Sequence, residues 1–427
     1  MKIYSYHEAI SNLDSILKRE GDPGEGVGAV VSEIIRNVRK NGDAALMDYT
    51  RKFDGAEIET LRVTPEEIEE ARDAVGPELL AVYQNAADNI RSFHEHQLEE
   101  TWTYQARPGV TLGQKITPIG RVGLYVPGGK AAYPSTVLMN AIPAKVAGVQ
   151  SIAMVTPPGK NGKINPNILA AASIAGADEI YKCGGAQAIA ALAYGTESIA
   201  PVDKITGPGN IFVATAKREV FGKVAIDMIA GPSEVLVIAD QTANPAWIAA
   251  DLLAQAEHDE MAMPILISLD AELPQLVIDE IERQLKQDIS RSEIASKSVH
   301  DFGFIFTADN TDQAFELANA VAPEHLELVL ENPEQYLDNV QNAGAVFIGE
   351  YTPEPAGDYF AGPNHTLPTS GTARFSSPLG VYDFMKRTSI LRYDEAAIKN
   401  EGRQIAAFAK SEGLDAHARS VERRLED

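Results

Sequence analysis

Eight histidines occur in the chain, and four of them stand among carboxylates or amides in patterns that a plain soluble core does not require. The settings are Gln255-Ala256-Glu257-His258, Pro323-Glu324-His325-Leu326, Asp358 through Asn364-His365, and Glu412 through His417. Imidazole moves protons near neutral pH and binds borderline metals. A carboxylate or amide beside it each time points to a composite metal and acid–base site. Gln255 and His258 are three apart near the end of a helical pattern, so both side chains reach one point. Glu324 and His325 follow Ala322-Pro323, where proline discourages a continuing helix. An adjacent acid and imidazole there can act on water and substrate respectively. Asp358 and His365 lie in a Gly/Pro-rich stretch whose turns can fix polar groups. Each setting also has a plainer reading: a capping Glu with a packed His, a solvated loop, or, for Glu412 and His417, the outer face of a helix. His94 and His96 are two apart on a helix, point to different sides and read as surface residues.

The four settings are scattered along the chain, so folding must assemble them. From Gly26 to about His96 the pattern is helical: Val30, Ile34, Ile35 and Val38 share a face, and Thr64-Pro65-Glu66-Glu67 reads as a helix start. Residues 109–120 turn strand-like. Strands and helices then alternate, with strands at 151–155, 179–181 and 204–206 and helices at 165–175, after 184–187, and from 210 to 217. A second alternating block starts at 235–239, with strands at 264–268, 303–306 and 345–348 and helices at 244–258, 273–287 and 310–320. Such alternation predicts parallel sheets with helices on both faces, and two successive blocks suggest an internal duplication. Residues 352–380, rich in Pro, Gly, Ser and Thr, read as a long ordered loop or linker. Residues 394–424 read as a charged helical end that packs on its own chain or on a neighbour.

Composition narrows the partners. A chain of 427 residues with 44% apolar content supports two to four domains with real cores. A formal net charge of −24 argues against nucleic acid. The one cysteine, Cys183, permits neither an intramolecular disulfide nor a thiolate metal cluster. The start lacks the apolar run of a signal peptide, and the apolar stretch 137–155 is broken by Asn140, Pro143, Lys145 and Gln150, so it is no membrane span. A cytoplasmic globular protein is expected.

The glycine segments are cofactor candidates. Gly207-Pro208-Gly209-Asn210 follows a strand and precedes a helix, as a nucleotide turn would. Phe212 stands where the third glycine of the dinucleotide fingerprint belongs, so spacing alone favours a plain tight turn. Taken together, the segments say more. Tyr125-Val126-Pro127-Gly128-Gly129, the run from Gly184-Gly185-Ala186-Gln187 to Gly195-Thr196, Gly207-Pro208-Gly209-Asn210 and Ala230-Gly231-Pro232-Ser233-Glu234-Val235-Leu236 resemble the histidinol dehydrogenase family. So do Gln255-Ala256-Glu257-His258, Ala322-Pro323-Glu324-His325-Leu326, Ala356-Gly357-Asp358-Tyr359, Gly362-Pro363-Asn364-His365-Thr366-Leu367-Pro368-Thr369, and Glu412 with His417. The similarity runs in order over nearly the whole chain.

The resemblance implies an α/β fold with two incomplete Rossmann-like α/β/α domains, aldehyde dehydrogenase-like, plus small helical terminal segments used in dimerisation. The expected divisions are an N-terminal extension at 1–22, a discontinuous α/β domain of 23–120 with 235–380, a nucleotide-binding domain at 121–234, and a dimerisation region at 381–427. It also implies an NAD-dependent homodimer, with one zinc ion per subunit, that oxidises L-histidinol to L-histidine through histidinaldehyde. Gln255, His258, Asp358 and His417 are the implied zinc ligands, His417 coming from the partner subunit. Glu324 is the implied activator of water and His325 the general base. Ser233, His365 and Glu412 are implied substrate contacts, together with the four ligand residues and His325. Tyr125, Gln187 and Asn210 are the implied NAD contacts. Two rivals stay open: a related zinc alcohol dehydrogenase acting on another small diol, and a noncatalytic binding protein on the same scaffold.

Overall fold

A computed structural model describes residues 1–18, 26–128, 132–229, 231–287 and 289–426. Gly129 and Ala230 of the quoted motifs, and the end of the expected 1–22 extension, lie outside the described residues. The chain opens with β1 (Lys2–Ser5) and α1 (Tyr6–Ile16), the latter started by a capping box between Ser5 and Glu8. Helices α2 (Val27–Tyr49), α3 (Pro65–Val75) and α4 (Pro77–Glu95) follow. Thr64 and Glu67 form a second capping box with Pro65 in the first turn, as the sequence predicts. The buried face of α2 is Val27, Val31, Ile34, Ile35 and Val38; Val30, expected on that face, is 45% exposed. Val31 takes the place because a 3.6-residue period from Ile35 lands on it rather than on Val30.

Next come β2 (Trp102–Arg107), β3 (Val110–Pro118), β4 (Arg121–Tyr125), α5 (Pro134–Val146), β5 (Ser151–Thr156), α6 (Pro166–Ala175), β6 (Glu179–Lys182), α7 (Gly185–Tyr194), β7 (Lys204–Thr206), α8 (Ile211–Val220) and β8 (Ala225–Ile226). The second block is β9 (Glu234–Ala239), α9 (Pro245–Ala256), β10 (Met263–Ser268), α10 (Leu273–Leu285), α11 (Ser292–Phe302), β11 (Phe304–Thr307), α12 (Thr311–Val321), β12 (His325–Val329) and β13 (Ala345–Ile348). A short turn α13 (Glu354–Ala356), β14 (Met385–Tyr393), α14 (Glu395–Ser411) and α15 (Asp415–Glu422) complete the chain. Helices α1, α5 and α11 and strands β1, β2, β8, β12 and β14 have no counterpart in the sequence reading.

Two parallel sheets organise the molecule. One has the order β6-β5-β4-β7-β8, the other β1-β11-β10-β9-β12-β13. Counting strands within each block, both read 3-2-1-4-5, so the expected duplication exists as repeated topology. This is the doubly wound order without its sixth strand. Strands β9 and β10 are buried at every residue, the uniform burial that helices on both faces impose. Strand β1 adds to the outer edge of the second sheet in parallel register with β11, Lys2 opposite Phe304. The segment expected as an extension is thus built into a sheet.

Helices α2, α3 and α4 were expected to group with residues 235–380. They pack instead on the first sheet: Val31, Ile35 and Leu46 share a core with Ile189 and Ile205, while Ala87 and Ile90 share one with Leu124 and Ile142. A separate three-stranded antiparallel sheet, β14-β3-β2, joins the C-terminal segment to residues 102–118.

Candidate active site

His325 is the first residue of β12, paired with Val235 of β9 on one side and Ala345 of β13 on the other. Helix α12 ends at Ala322, which adopts a left-handed φ of 53°, and Pro323 then turns the chain into the strand. The Glu324 carbonyl comes so close to Gly344 that a Cβ there would lie 2.4 Å from it. A side chain at 344 would push the acid–imidazole pair out of place. Its backbone, hydrogen-bonded on both sides, makes His325 a rigid part of the sheet.

Both members of the pair are buried. His325 Nδ1 lies 3.0 Å from the Glu234 carbonyl oxygen, which can only accept, so this nitrogen carries the proton and Nε2 is left as the second ring position. Nε2 has no hydrogen-bond partner among the described residues and lies 3.7 Å from Asp358 Oδ1 and 4.0 Å from Glu354 Oε1. Burial disfavours the imidazolium, yet Glu354, Glu324 and Asp358 together raise its pKa well above the ordinary value, and a cation shared by Glu354 and Asp358 would oppose that rise and leave Nε2 free to accept a proton. Glu324 Oε2 accepts from the Glu234 N–H at 2.9 Å, and burial pushes this carboxyl up to about 7.

Glu354 is the residue that the sequence reading missed. It is 2% exposed, and burial pushes its pKa up to about 8. One oxygen each of Glu354 and Asp358 and a ring nitrogen of His258 lie within 4.8 Å of one another, close enough to share one metal ion. Gln255, buried in the last turn of α9, joins them: with its amide oriented to suit its neighbours, the NH2 donates to the Glu354 carboxylate at 2.5 and 2.7 Å and the oxygen accepts from Glu234 N at 3.1 Å. Glu354 therefore stands beside His258 and Asp358, where the resemblance implied Gln255. The available signal was its i, i+4 spacing to Asp358 on one helical turn. Pro355 and Gly357 hid it by making the stretch read as loop. Residues 354–361 are in fact short α and π turns, the latter a form common at functional sites.

The expected residues divide in three ways. His258, Glu324, His325, Asp358 and His365 are brought together; His365 Nδ1 meets the Asp358 carbonyl at 3.1 Å, and burial lowers its pKa. His325, Asp358 and His365 border a cavity of about 350 Å³ lined also by Phe347, Asn364 and Tyr382. Ser233 sits one residue before β9, at the same edge as Glu234. Glu412 and His417 are exposed on the α14–α15 segment and do not join the cluster. His94, expected at the surface, is fully buried, with Nδ1 on Gln97 Oε1 at 2.8 Å and Asn364 beside Nε2. It is a packed residue that supports the loop carrying His365.

Tyr125, Gln187 and Asn210 gather at the other sheet. Tyr125 ends β4, and its buried hydroxyl accepts from Gly185 N at 3.2 Å at the start of α7; burial pushes its pKa up to about 12. Gln187 is buried in the first turn of α7, and Asn210 caps α8 by accepting from Phe212 N and Val213 N. Strands β4 and β7 are adjacent where the order reverses, and such a switch point opens a crevice at the C-terminal strand ends. Cys183 is buried, its thiol pushed up by burial, and is no nucleophile.

A doubly wound α/β protein with a nucleotide-type crevice on one sheet and a buried acid–imidazole–carboxylate cluster on the other belongs to the oxidoreductase-like α/β class. The histidinol dehydrogenase family model matches residues 17–425. The histidinol dehydrogenase of Bacillus subtilis is 56% identical, with 96% of each chain covered, and that of Clostridium acetobutylicum is 52% identical over 97% of this chain and 96% of the other. The crystal structure of histidinol dehydrogenase from Elizabethkingia anophelis superposes with a TM-score of 0.95 at 41% identity, covering 100% of this chain and 98% of that one. An NAD-dependent aldehyde dehydrogenase from Sinorhizobium meliloti, 14% identical, shares the fold at a TM-score of 0.50 over 86% and 87% of the two chains. The chain belongs to the histidinol dehydrogenase family, and is an oxidoreductase.

Proposed function

We propose that the protein is a cytoplasmic, zinc-containing homodimer that oxidises L-histidinol to L-histidine through histidinaldehyde at the expense of two NAD, the last step of histidine biosynthesis. The observation that carries this reading is the buried His325, pinned through Nδ1 and open at Nε2 beside Glu324 and a cluster of metal-type donors. Among the described residues no Lys or Arg is ion-paired with Glu324, Glu354 or Asp358. Nitrogen and oxygen donors around a locally uncompensated negative charge suit a divalent ion, and zinc accepts such a set. Gln255, His258, Asp358 and His417 of the partner subunit would hold it, with Glu354 orienting the Gln255 amide.

When bound, zinc supplies a template for the substrate's imidazole and amine, and NAD supplies the hydride acceptor. His325 Nε2 takes the hydroxyl proton in the first oxidation. Glu324 draws a proton from water so that the aldehyde is hydrated in place, and His325 then deprotonates the hydrate for the second oxidation. Ser233, His365 and Glu412 hold the substrate's polar groups. Burial of the pair keeps bulk water away while the aldehyde is present. Tyr125, Gln187 and Asn210 contact the cofactor.

The test is a coupled assay of purified protein with histidinol and NAD, following NADH and histidine together. Two NADH per histidine are expected. Turnover of another small alcohol with none of histidinol would overturn the substrate assignment.

A further inference from the structure

The turn after β7 is held by a buried ion pair that the proposed chemistry does not use. Lys217 on α8 and Asp227 just past β8 are paired with side chains only 3% and 1% exposed. Both are directed at one glycine. Lys217 Nζ donates to the Gly207 carbonyl at 2.9 Å, and the Gly207 N–H donates to Asp227 Oδ2 at 2.8 Å. Gly207 has φ +111°, and a Cβ there would lie 2.1 Å from the Tyr125 carbonyl oxygen, so the turn is pressed directly onto the end of β4. Asp227 Oδ1 also accepts from Met228 N at 2.7 Å, at the start of residues 228–233, which lead to Ser233 and Glu234.

A buried ion pair is a weak source of stability, because desolvation offsets most of its attraction, and apolar side chains of similar size would fill the space as well. What apolar side chains cannot do is fix the N–H and the C=O of one residue at once. We propose that Lys217 and Asp227 are positioning residues for the pyridine dinucleotide: they set the turn 207–210 against Tyr125, and thereby the places of Tyr125 and Asn210 in the cofactor crevice. The inference rests on the NAD reading and adds residues to it.

The double substitution K217M/D227N removes both charges and leaves neither buried alone. Dissociation constants for NAD and for histidinol are measured separately by calorimetry on the intact metal-loaded protein, beside the melting temperature. Affinity for NAD is expected to fall roughly tenfold to a hundredfold, as for misplacement of a binding element by about an ångström, with histidinol affinity and metal content kept. Unchanged NAD affinity in the variant, whatever happens to melting, overturns the positioning role. Failure of the unsubstituted protein to bind NAD while it binds histidinol overturns the cofactor reading itself. Should the variant not fold, hydrogen exchange on the unsubstituted protein decides: NAD is expected to slow exchange in residues 204–213 and histidinol alone is not, and no slowing by NAD refutes the proposal.

Discussion

Under the proposed function, His325 serves as a base only while its Nδ1–H is donated to the Glu234 carbonyl, because that bond fixes which nitrogen faces the substrate. His325→Asn retains a donor at the Nδ1 position and removes Nε2. We expect turnover to fall by about 10²- to 10⁴-fold, the usual contribution of a positioned acid or base, with an unchanged melting temperature and metal content. An active variant would take His325 out of the proton-transfer role. Glu354→Gln tests the neighbouring contact. It keeps the shape but offers Gln255 an amide in place of a carboxylate, and metal retention against a chelator is expected to drop by about 10- to 100-fold, as for other groups that orient ligands. Retention equal to the parent protein would show that Glu354 does not orient the Gln255 amide. At this scale the sequence was legible where a residue type is rare and its neighbours polar, as at His325. It was opaque where burial comes from distant partners: His94 is buried by Asn364 and Gln97, contacts that no helical wheel displays.

Among the elements, the turn that extends α2 carries a buried liability. Residues 50–54 form a π turn ending at Asp54, whose Oδ2 has no hydrogen-bond partner among the described residues. Burial raises this carboxyl from 3.8 to about 6. The folded protein therefore keeps the proton after the unfolded chain has released it. Its contribution to stability is complete below pH 3.8 and is lost as pH rises through about 6. In urea titrations from pH 4 to 7, Asp54→Asn should lack this component of the decline and gain on the parent protein toward neutrality. Screening by nearby solvent limits the effect to about 1 kcal/mol. Parallel pH profiles for the two proteins would refute the assignment. Most strands and helices of the two α/β blocks were readable from apolar runs and capping residues, but α11 and the strand β12 that carries His325 were not. The short turns around Glu354 were not, because Pro and Gly there start and bend a helix rather than abolish it.

For the whole molecule, the two sheets offer opposite ends to the chemistry. The crevice proposed for the cofactor lies at the C-terminal ends of β4 and β7, while Glu234 and His325 sit at the N-terminal ends of β9 and β12. Residues 227–233 are the direct link between them. Glu412 and His417 stand apart from the cluster within one chain, so under the proposed function they serve the partner's site. Mixing inactive His417→Ala protein with inactive His325→Asn protein and allowing subunit exchange should restore roughly a quarter of the parental activity, since random pairing gives each mixed dimer one intact site. No recovery, with exchange verified by mass, would mean that each chain completes its own site. The duplication was announced by the alternating sequence blocks, though their strand order was not. The destination of α2–α4 and of β1 was not, since nothing local in a helix or a four-residue strand states which sheet it will join.

That last strand has a consequence for synthesis. Lys2 is made long before its partners: its amine meets the Asp301 carbonyl and its strand meets β11, 299 residues onward in the first of these contacts. At roughly 5–20 residues per second, the nascent N-terminus waits tens of seconds for its partner. Until then residues 2–16 carry Tyr4, Tyr6, Ile10 and Leu13 with no sheet or α12 to cover them. A tag at either end would leave that interval unchanged, because the same residues separate the two partners, whereas an insertion between them would lengthen it.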